Sequence, residues 1–133
     1  MLADALVCAN VPTTDLQRAK RFYGETLGLR EAESDEERGV YYQAGGGTML
    51  NLYERPHATA DHAVATFIVE NLEAVMADLR RRGVSFEEYD LPDLKTEHGV
   101  FSDESGFKAA WLKDPDGNTV AIEQLAIAFG TLL

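Results

Sequence analysis

Cysteine, tryptophan and proline are scarce in this sequence: its 133 residues include one Cys, one Trp and four Pro. The lone thiol, Cys8, excludes an internal disulfide framework and any zinc ribbon built on cysteine pairs. Positive charge is also in short supply, with 12 Lys and Arg against 23 Asp and Glu and a net charge of −11. Nucleic-acid binding draws its affinity from neutralised phosphates, so a chain with no basic face is set outside that class. An anionic membrane surface is disfavoured by the same repulsion. No apolar run approaches the roughly 20 residues that a bilayer-spanning helix needs. The start, Met1-Leu2-Ala3-Asp4, lacks the basic and apolar stretches of a secretory signal. These absences predict a cytoplasmic protein whose acidity serves solubility. What is present is an ordinary globular balance of 45% hydrophobic and 26% charged residues, at a length that suits one domain.

The pattern along the chain predicts the same order of elements twice. Residues 5–12 read as a strand closed by Pro12, and Thr13-Thr14-Asp15 supplies a helix cap. Leu16, Ala19, Tyr23 and Leu27 then recur on one helical face, with Gly28 placed to end it. Three short strands follow: Leu29–Ser34 into the turn Asp35-Glu36-Glu37, Val40–Ala44 into Gly45-Gly46-Gly47, and Thr48–Glu54. The second round opens with a strand over His62–Val69 and a helix capped by Asn71. Leu72, Val75, Met76 and Leu79 face inward on that helix, and Gly83 stops it. Arg80-Arg81-Arg82, the one basic cluster, falls in its last turn, where cations meet the negative helix end. Lys108–Lys113 and Thr119–Gln124 are strands joined by Asp114-Pro115-Asp116-Gly117-Asn118, whose Asp-Gly step is a hairpin signal. The expected fold is α+β: two βαβββ modules, residues 1–58 and 61–127, within a single domain.

The second round is longer than the first, and the surplus falls at 87–107. Long connections in compact domains are often lids or binding loops. The aromatic and aliphatic residues here (Tyr89, Leu91, Leu94, Val100, Phe101, Phe107) favour a packed lid over a disordered insertion. Alternation along the strands separates two faces. Val7, Ala9 and Val11, Leu50 and Leu52, Ala63, Ala65 and Phe67, and Val120 and Ile122 form apolar faces suited to lie under the helices. The opposite faces carry Cys8 and Asn10, Met49, Asn51 and Tyr53, His62, Val64 and Thr66, and Thr119, Ala121 and Glu123. That mixture of apolar walls and a few polar groups suits a partly enclosed cavity better than open water.

The repeated βαβββ order, the stretch from Thr13 to Leu29 (Thr-Thr-Asp-Leu-Gln-Arg-Ala-Lys-Arg-Phe-Tyr-Gly-Glu-Thr-Leu-Gly-Leu) and Lys113-Asp114-Pro115-Asp116-Gly117-Asn118 resemble the vicinal oxygen chelate superfamily. That family includes glyoxalase I, bleomycin-resistance proteins, extradiol dioxygenases and fosfomycin-resistance enzymes. The resemblance covers Leu6 to Leu125 and implies curved mixed sheets around a cavity, and a homodimer. It also implies where a catalytic metal would sit, on His, Glu or Gln side chains of the first, fourth, fifth and eighth strands. Those places fall here on Cys8, Asn51, Val64 and Ala121. Val64 and Ala121 have no donor atom, and Asn51 is a weak neutral one. A shifted alternative uses His62 and Glu123, each two positions from an empty place and on the same face. Two residues along a strand is about 7 Å, whereas a ligand must stand about 2 Å from its metal, so both strands would have to slide together.

Other chemistries find little support. Gly45-Gly46-Gly47 is not followed by the Lys-Ser/Thr or the helix of a phosphate cradle. Cys8 reads as a small buried hydrophobe, and no Gly-x-Ser-x-Gly elbow is present. His57 falls in the linker between the modules, and His98 in the lid candidate. The expectation is therefore a small-molecule binder without a metal cofactor, similar to bleomycin-resistance proteins. The alternative is a lyase, epimerase or dioxygenase with one divalent metal ion, and a third is a scaffold with a vestigial cavity. The candidate ligand contacts are Cys8, Asn10, Asn51, Tyr53, His62, Val64, Tyr89, Lys95, Trp111, Ala121 and Glu123. Alternation alone leaves the direction of Trp111 open. Tyr89 and Lys95 enter as lid residues, Lys95 as the nearest positive charge in an acidic half. A flat, partly apolar ligand with a polar or anionic edge is expected, with a large cationic glycopeptide as the alternative.

Overall fold

The computed structural model describes residue 3 and residues 8–35, 39–56 and 62–126. Val7, Glu36, Glu37 and His57 lie outside the described residues. The chain divides into two compact units, residues 1–65 with 114–118, and residues 66–113 with 119–133.

The first unit is built on a four-stranded sheet, order β1-β4-β3-β2, with β1 Cys8–Thr13, β2 Arg30–Asp35, β3 Gly39–Gln43 and β4 Met49–Glu54. β1 runs parallel to β4, while β3 is antiparallel to both β4 and β2. Helix α1 covers Leu16–Lys20, and the Asp15 carboxylate accepts from the Arg18 amide at its start. From Arg21 to Thr26 the helix widens to i→i+5 bonding, with the Leu27 amide donating to the Phe22 carbonyl. The extra residue per turn rotates Leu27 off the predicted face; it is half-buried, as is Leu16, whereas Ala19 and Tyr23 are fully covered. Gly28 ends the segment with φ 79°, as a left-handed terminator requires. Val11, Val40, Tyr42, Leu50 and Leu52 are buried with Ala19 and Tyr23, so the alternation places the core as expected. Ala9, assigned to the same face, is only half-buried. The Tyr42 ring lies against the helix at Gly24, 3.4 Å from where a Cβ would stand.

The second unit's sheet has the order β5-β10-β9-β8, the same order by position as the first. Its strands are β5 Ala63–Ile68, β8 Phe101–Ser102, β9 Lys108–Lys113 and β10 Thr119–Gln124, and helix α2 spans Leu72–Arg81. The Asn71 side chain caps α2 by accepting from the Ala74 amide. Leu72, Met76 and Leu79 are buried with Ala110, Leu112, Val120 and Ile122; Val75 is half-buried. The stretch predicted as a lid is ordered. It forms the hairpin β6 Asp90–Leu91 and β7 Leu94–Lys95, then edge strand β8. Two-residue strands are too short to show periodicity, which is why the sequence hides them. A polar node sets the hairpin's base: Glu88 accepts from the Thr96 hydroxyl and the Gly99 amide, and the Tyr89 amide donates to Thr96 Oγ1. Arg80 donates to the His98 carbonyl and stacks over Phe86 at 5.2 Å, so that arginine does more than meet a helix end. The other two arginines pair with Asp78. No helix among the described residues is long and apolar enough to cross a membrane.

Candidate ligand-binding site

In the first unit, register brings the candidate residues into rows across the sheet. Asn10 pairs with Asn51, and Tyr41 stands opposite Asn51 on its other side. Asn51 is 8% exposed, and its Nδ2 donates to Asn10 Oδ1 at 3.4 Å. Cys8 pairs with Met49 and Pro12 with Tyr53. Arg55 stands over the Tyr53 ring at 5.9 Å. Cys8 is half-buried, and burial pushes its thiol up, away from the thiolate that a nucleophile or metal ligand requires. His62 is exposed just ahead of β5, and Val64 is half-buried within it. Tyr41 is absent from the sequence-derived set. The signal was available, because Val40 and Tyr42 are core residues and their neighbour must face the other way, but two adjacent tyrosines obscure the alternation.

In the second unit, the register Ala121↔Trp111 and Ile122↔Ala110 resolves the direction of Trp111. It shares a face with Ala121 and Glu123, opposite the helix-covered side. Tyr89 meets Trp111 edge-on, ring centroids 5.5 Å apart, and the Glu87 amide donates to the Trp111 carbonyl. Burial and the neighbouring Glu87 push the Tyr89 phenol up, so it remains a neutral donor. Tyr89 and Trp111 are thus brought together. Lys95 is exposed on β7, opposite Asp90. Ala121 is buried, and Glu123 is half-buried opposite Ala109.

The places where the family resemblance implies metal ligands do not fit a divalent cation. Such ions need deprotonated or imidazole donors. Cys8 would have to give up a proton that burial helps it keep, Asn51 offers a neutral amide, and Val64 and Ala121 offer nothing. Among the described residues, no three His, Cys, Asp or Glu side chains converge closely enough to hold a metal ion.

The two sequence motifs turn out to be halves of one polar structure in the first unit. Asp114 accepts from the Tyr23 hydroxyl, from the Asn118 amide and side chain, and from the Asp116 amide. Asn118 in turn donates to the Pro12 carbonyl. Asp116 accepts from Thr13 Oγ1, from the Thr14 amide and hydroxyl, and from Arg18 at 2.7 Å. Burial and the Asp114 carboxylate push the Tyr23 phenol far up, keeping it a donor. The two motifs are therefore tied to each other by the fold.

Residues 5–122 match the family model described as Glyoxalase/Bleomycin resistance protein/Dioxygenase superfamily. The chain belongs to this superfamily. No curated protein matches the sequence. Among solved structures, this superfamily member is similar to a glyoxalase/bleomycin resistance protein from Catenulispora acidiphila, at 27% identity and TM-score 0.70, covering 92% of this chain and 99% of that one. An integron cassette protein from a Halifax Harbour sewage metagenome has TM-score 0.72 at 21% identity, covering 92% and 99%. The lactoylglutathione lyase of Agrobacterium tumefaciens has TM-score 0.70 at 17% identity, covering 92% and 95%. The last two likenesses carry the fold alone.

Proposed function

We propose that this superfamily member binds a small molecule without a catalytic metal, in the manner suggested by the name bleomycin resistance protein, with residues 1–133 acting as one domain. The observation that carries this reading is the donor set at the four places where the family's resemblance implies ligands. One thiol, one neutral amide and two hydrocarbon side chains supply too few donors to replace the water around a divalent cation. The residues proposed to bind are chemically suited to it: in the first unit the amides of Asn10 and Asn51, the Tyr53 ring and the apolar Cys8 and Val64, and in the second unit the Tyr89 and Trp111 rings and Ala121. His62 in the first unit and Lys95 and Glu123 in the second are the further contacts proposed, each charged or titratable. The cytoplasm is the proposed location, consistent with a single free cysteine. A homodimer is proposed because β-sheet edges need cover.

Metal analysis of protein purified without chelator tests the reading. Substoichiometric Ni, Zn, Mn and Fe is expected. Near-stoichiometric metal that disappears in a His62→Ala/Glu123→Ala double variant would overturn it in favour of a metal-dependent enzyme.

A further inference from the structure

Resting on the binding reading above, we infer that the first unit's sheet selects an uncharged, planar ligand carrying a carbonyl edge, of the lactam or imide class. The row Tyr41–Asn51–Asn10 crosses three adjacent strands and spans about 10 Å at the usual strand spacing. It sets a phenol and two carboxamides side by side, with Asn10 exposed, Tyr41 half-buried and Asn51 buried between them. Because Asn10 Oδ1 already accepts from Asn51, the group that exposed Asn10 offers outward is its NH2 donor, which calls for a carbonyl acceptor. The Tyr41 hydroxyl both donates and accepts, so it can meet a ligand N–H. Met49, Cys8 and Tyr53 flank the row with apolar and aromatic surface suited to a flat ring.

Charge decides against ionic ligands. The residues of β1, β3 and β4 on this face (8, 10, 12, 41, 43, 49, 51 and 53) include no Asp, Glu, Lys or Arg; the cations nearest them are Arg30, opposite Gln43 on the edge strand β2, and Arg55, already engaged with the Tyr53 ring. The net charge of −11 opposes anions further. A cation would seek an aromatic face, but Arg55 already stands over Tyr53 and would repel it. Carboxamides paired with a phenol, without formal charge, match a neutral amide edge better than either ion.

Three bicyclic probes of matched size separate the possibilities: 2-quinolone, a neutral lactam; 2-naphthoate, an anion; and N-methylquinolinium, a cation. Dissociation constants from ligand-observed NMR should rank 2-quinolone tightest. Its binding should weaken about five-fold or more in Asn10→Ala and in Tyr41→Phe, as loss of a hydrogen-bond partner predicts. Asn10 is exposed and Tyr41→Phe keeps its ring, so both variants should fold, with unchanged melting as the check. If naphthoate or quinolinium binds tightest, or if both variants bind 2-quinolone as tightly as the wild type does, the ligand class is wrong while binding itself stands. Absence of binding by all three also overturns the class. Absence together with stoichiometric bound metal overturns the binding reading too.

Discussion

Replacing Asp116 with alanine should cost the fold about 2 kcal/mol, a figure that follows from where its four donors lie. The Thr14 amide and hydroxyl bonds are exposed, so water can replace the carboxylate there at little cost. Thr13 is fully buried and loses a charged acceptor, but its hydroxyl can fall back on the Asp15 carbonyl at 3.0 Å, which holds the loss to about 1–1.5 kcal/mol. Arg18 is 39% exposed at its side chain while Asp116 is 2% exposed. Solvent screens that pair, so its share is at most about 1 kcal/mol. The loss should also depend on pH. Burial alone would raise the Asp116 carboxyl, but hydrogen bonds from Thr13 and Thr14 and the Arg18 charge outweigh burial and hold it below its ordinary value. A carboxyl depressed in the folded state contributes stability that is complete above the unfolded value near 3.9 and fades as pH falls through the folded value. Urea denaturation at a series of pH values, with the slope checked for constancy, should show the gap between wild type and D116A widest near neutrality and closing below about pH 4. A loss under about 0.5 kcal/mol at neutral pH, a gap that ignores pH, or an Arg18→Ala variant less stable than D116A would refute the reasoning.

Gly39 and Gly83 make a matched pair for urea denaturation. Both have positive φ, but a Cβ at Gly39 would stand 2.3 Å from the Leu52 carbonyl oxygen and 2.4 Å from Asn51 Oδ1, whereas nothing lies within 4 Å at Gly83. Gly39→Ala should therefore cost more than about 2 kcal/mol and Gly83→Ala about 1; equal losses would contradict the packing. Tyr23→Phe removes the buried donor to Asp114 without changing shape and should lower stability by about 1–2 kcal/mol, read from the urea midpoint. Leu52→Ala opens space in the first sheet's core and should cost about 2–5 kcal/mol by the same measurement. Asn51→Ala and Tyr53→Ala should each diminish the thermal shift given by a bound ligand, which for wild type at 100 times Kd amounts to about 2.7 kcal/mol.

The faces of the long strands were legible because alternation is a strict consequence of backbone geometry. Val11, Leu50, Leu52, Val120 and Ile122 are buried where the pattern put them. Legibility failed where periodicity is too short or too uniform to act as a signal. The Asp90–Lys95 hairpin has two residues per strand, and Ala109 and Ala110 are both fully buried, so neither size nor polarity told which way Trp111 points. Only pairing with β10 did. The helix was read with a constant 3.6-residue turn, and the i→i+5 widening after Arg21 broke that assumption at Leu27. At the candidate site, strand parity found Asn10, Asn51 and Tyr53 but passed over Tyr41. The Asp-Pro-Asp-Gly-Asn turn read as a hairpin tip. Its second task, accepting from Tyr23, Thr13, Thr14 and Arg18, depends on contacts that no local pattern encodes.

That second task has a kinetic consequence. The bonds from Tyr23 to Asp114, from Thr13 to Asp116 and from Asn118 to Pro12 join residues 91, 103 and 106 positions apart. During synthesis, Tyr23, Thr13 and the Pro12 carbonyl leave the ribosome long before their partners exist. The first unit's sheet must wait, partly satisfied, until residues 114–118 have emerged. Closing such distant contacts late slows folding and prolongs exposure to aggregation and proteolysis. A chain interrupted before residue 114 would lack the acceptors that complete its first unit, so a unit begun at β1 is finished only about a hundred residues later.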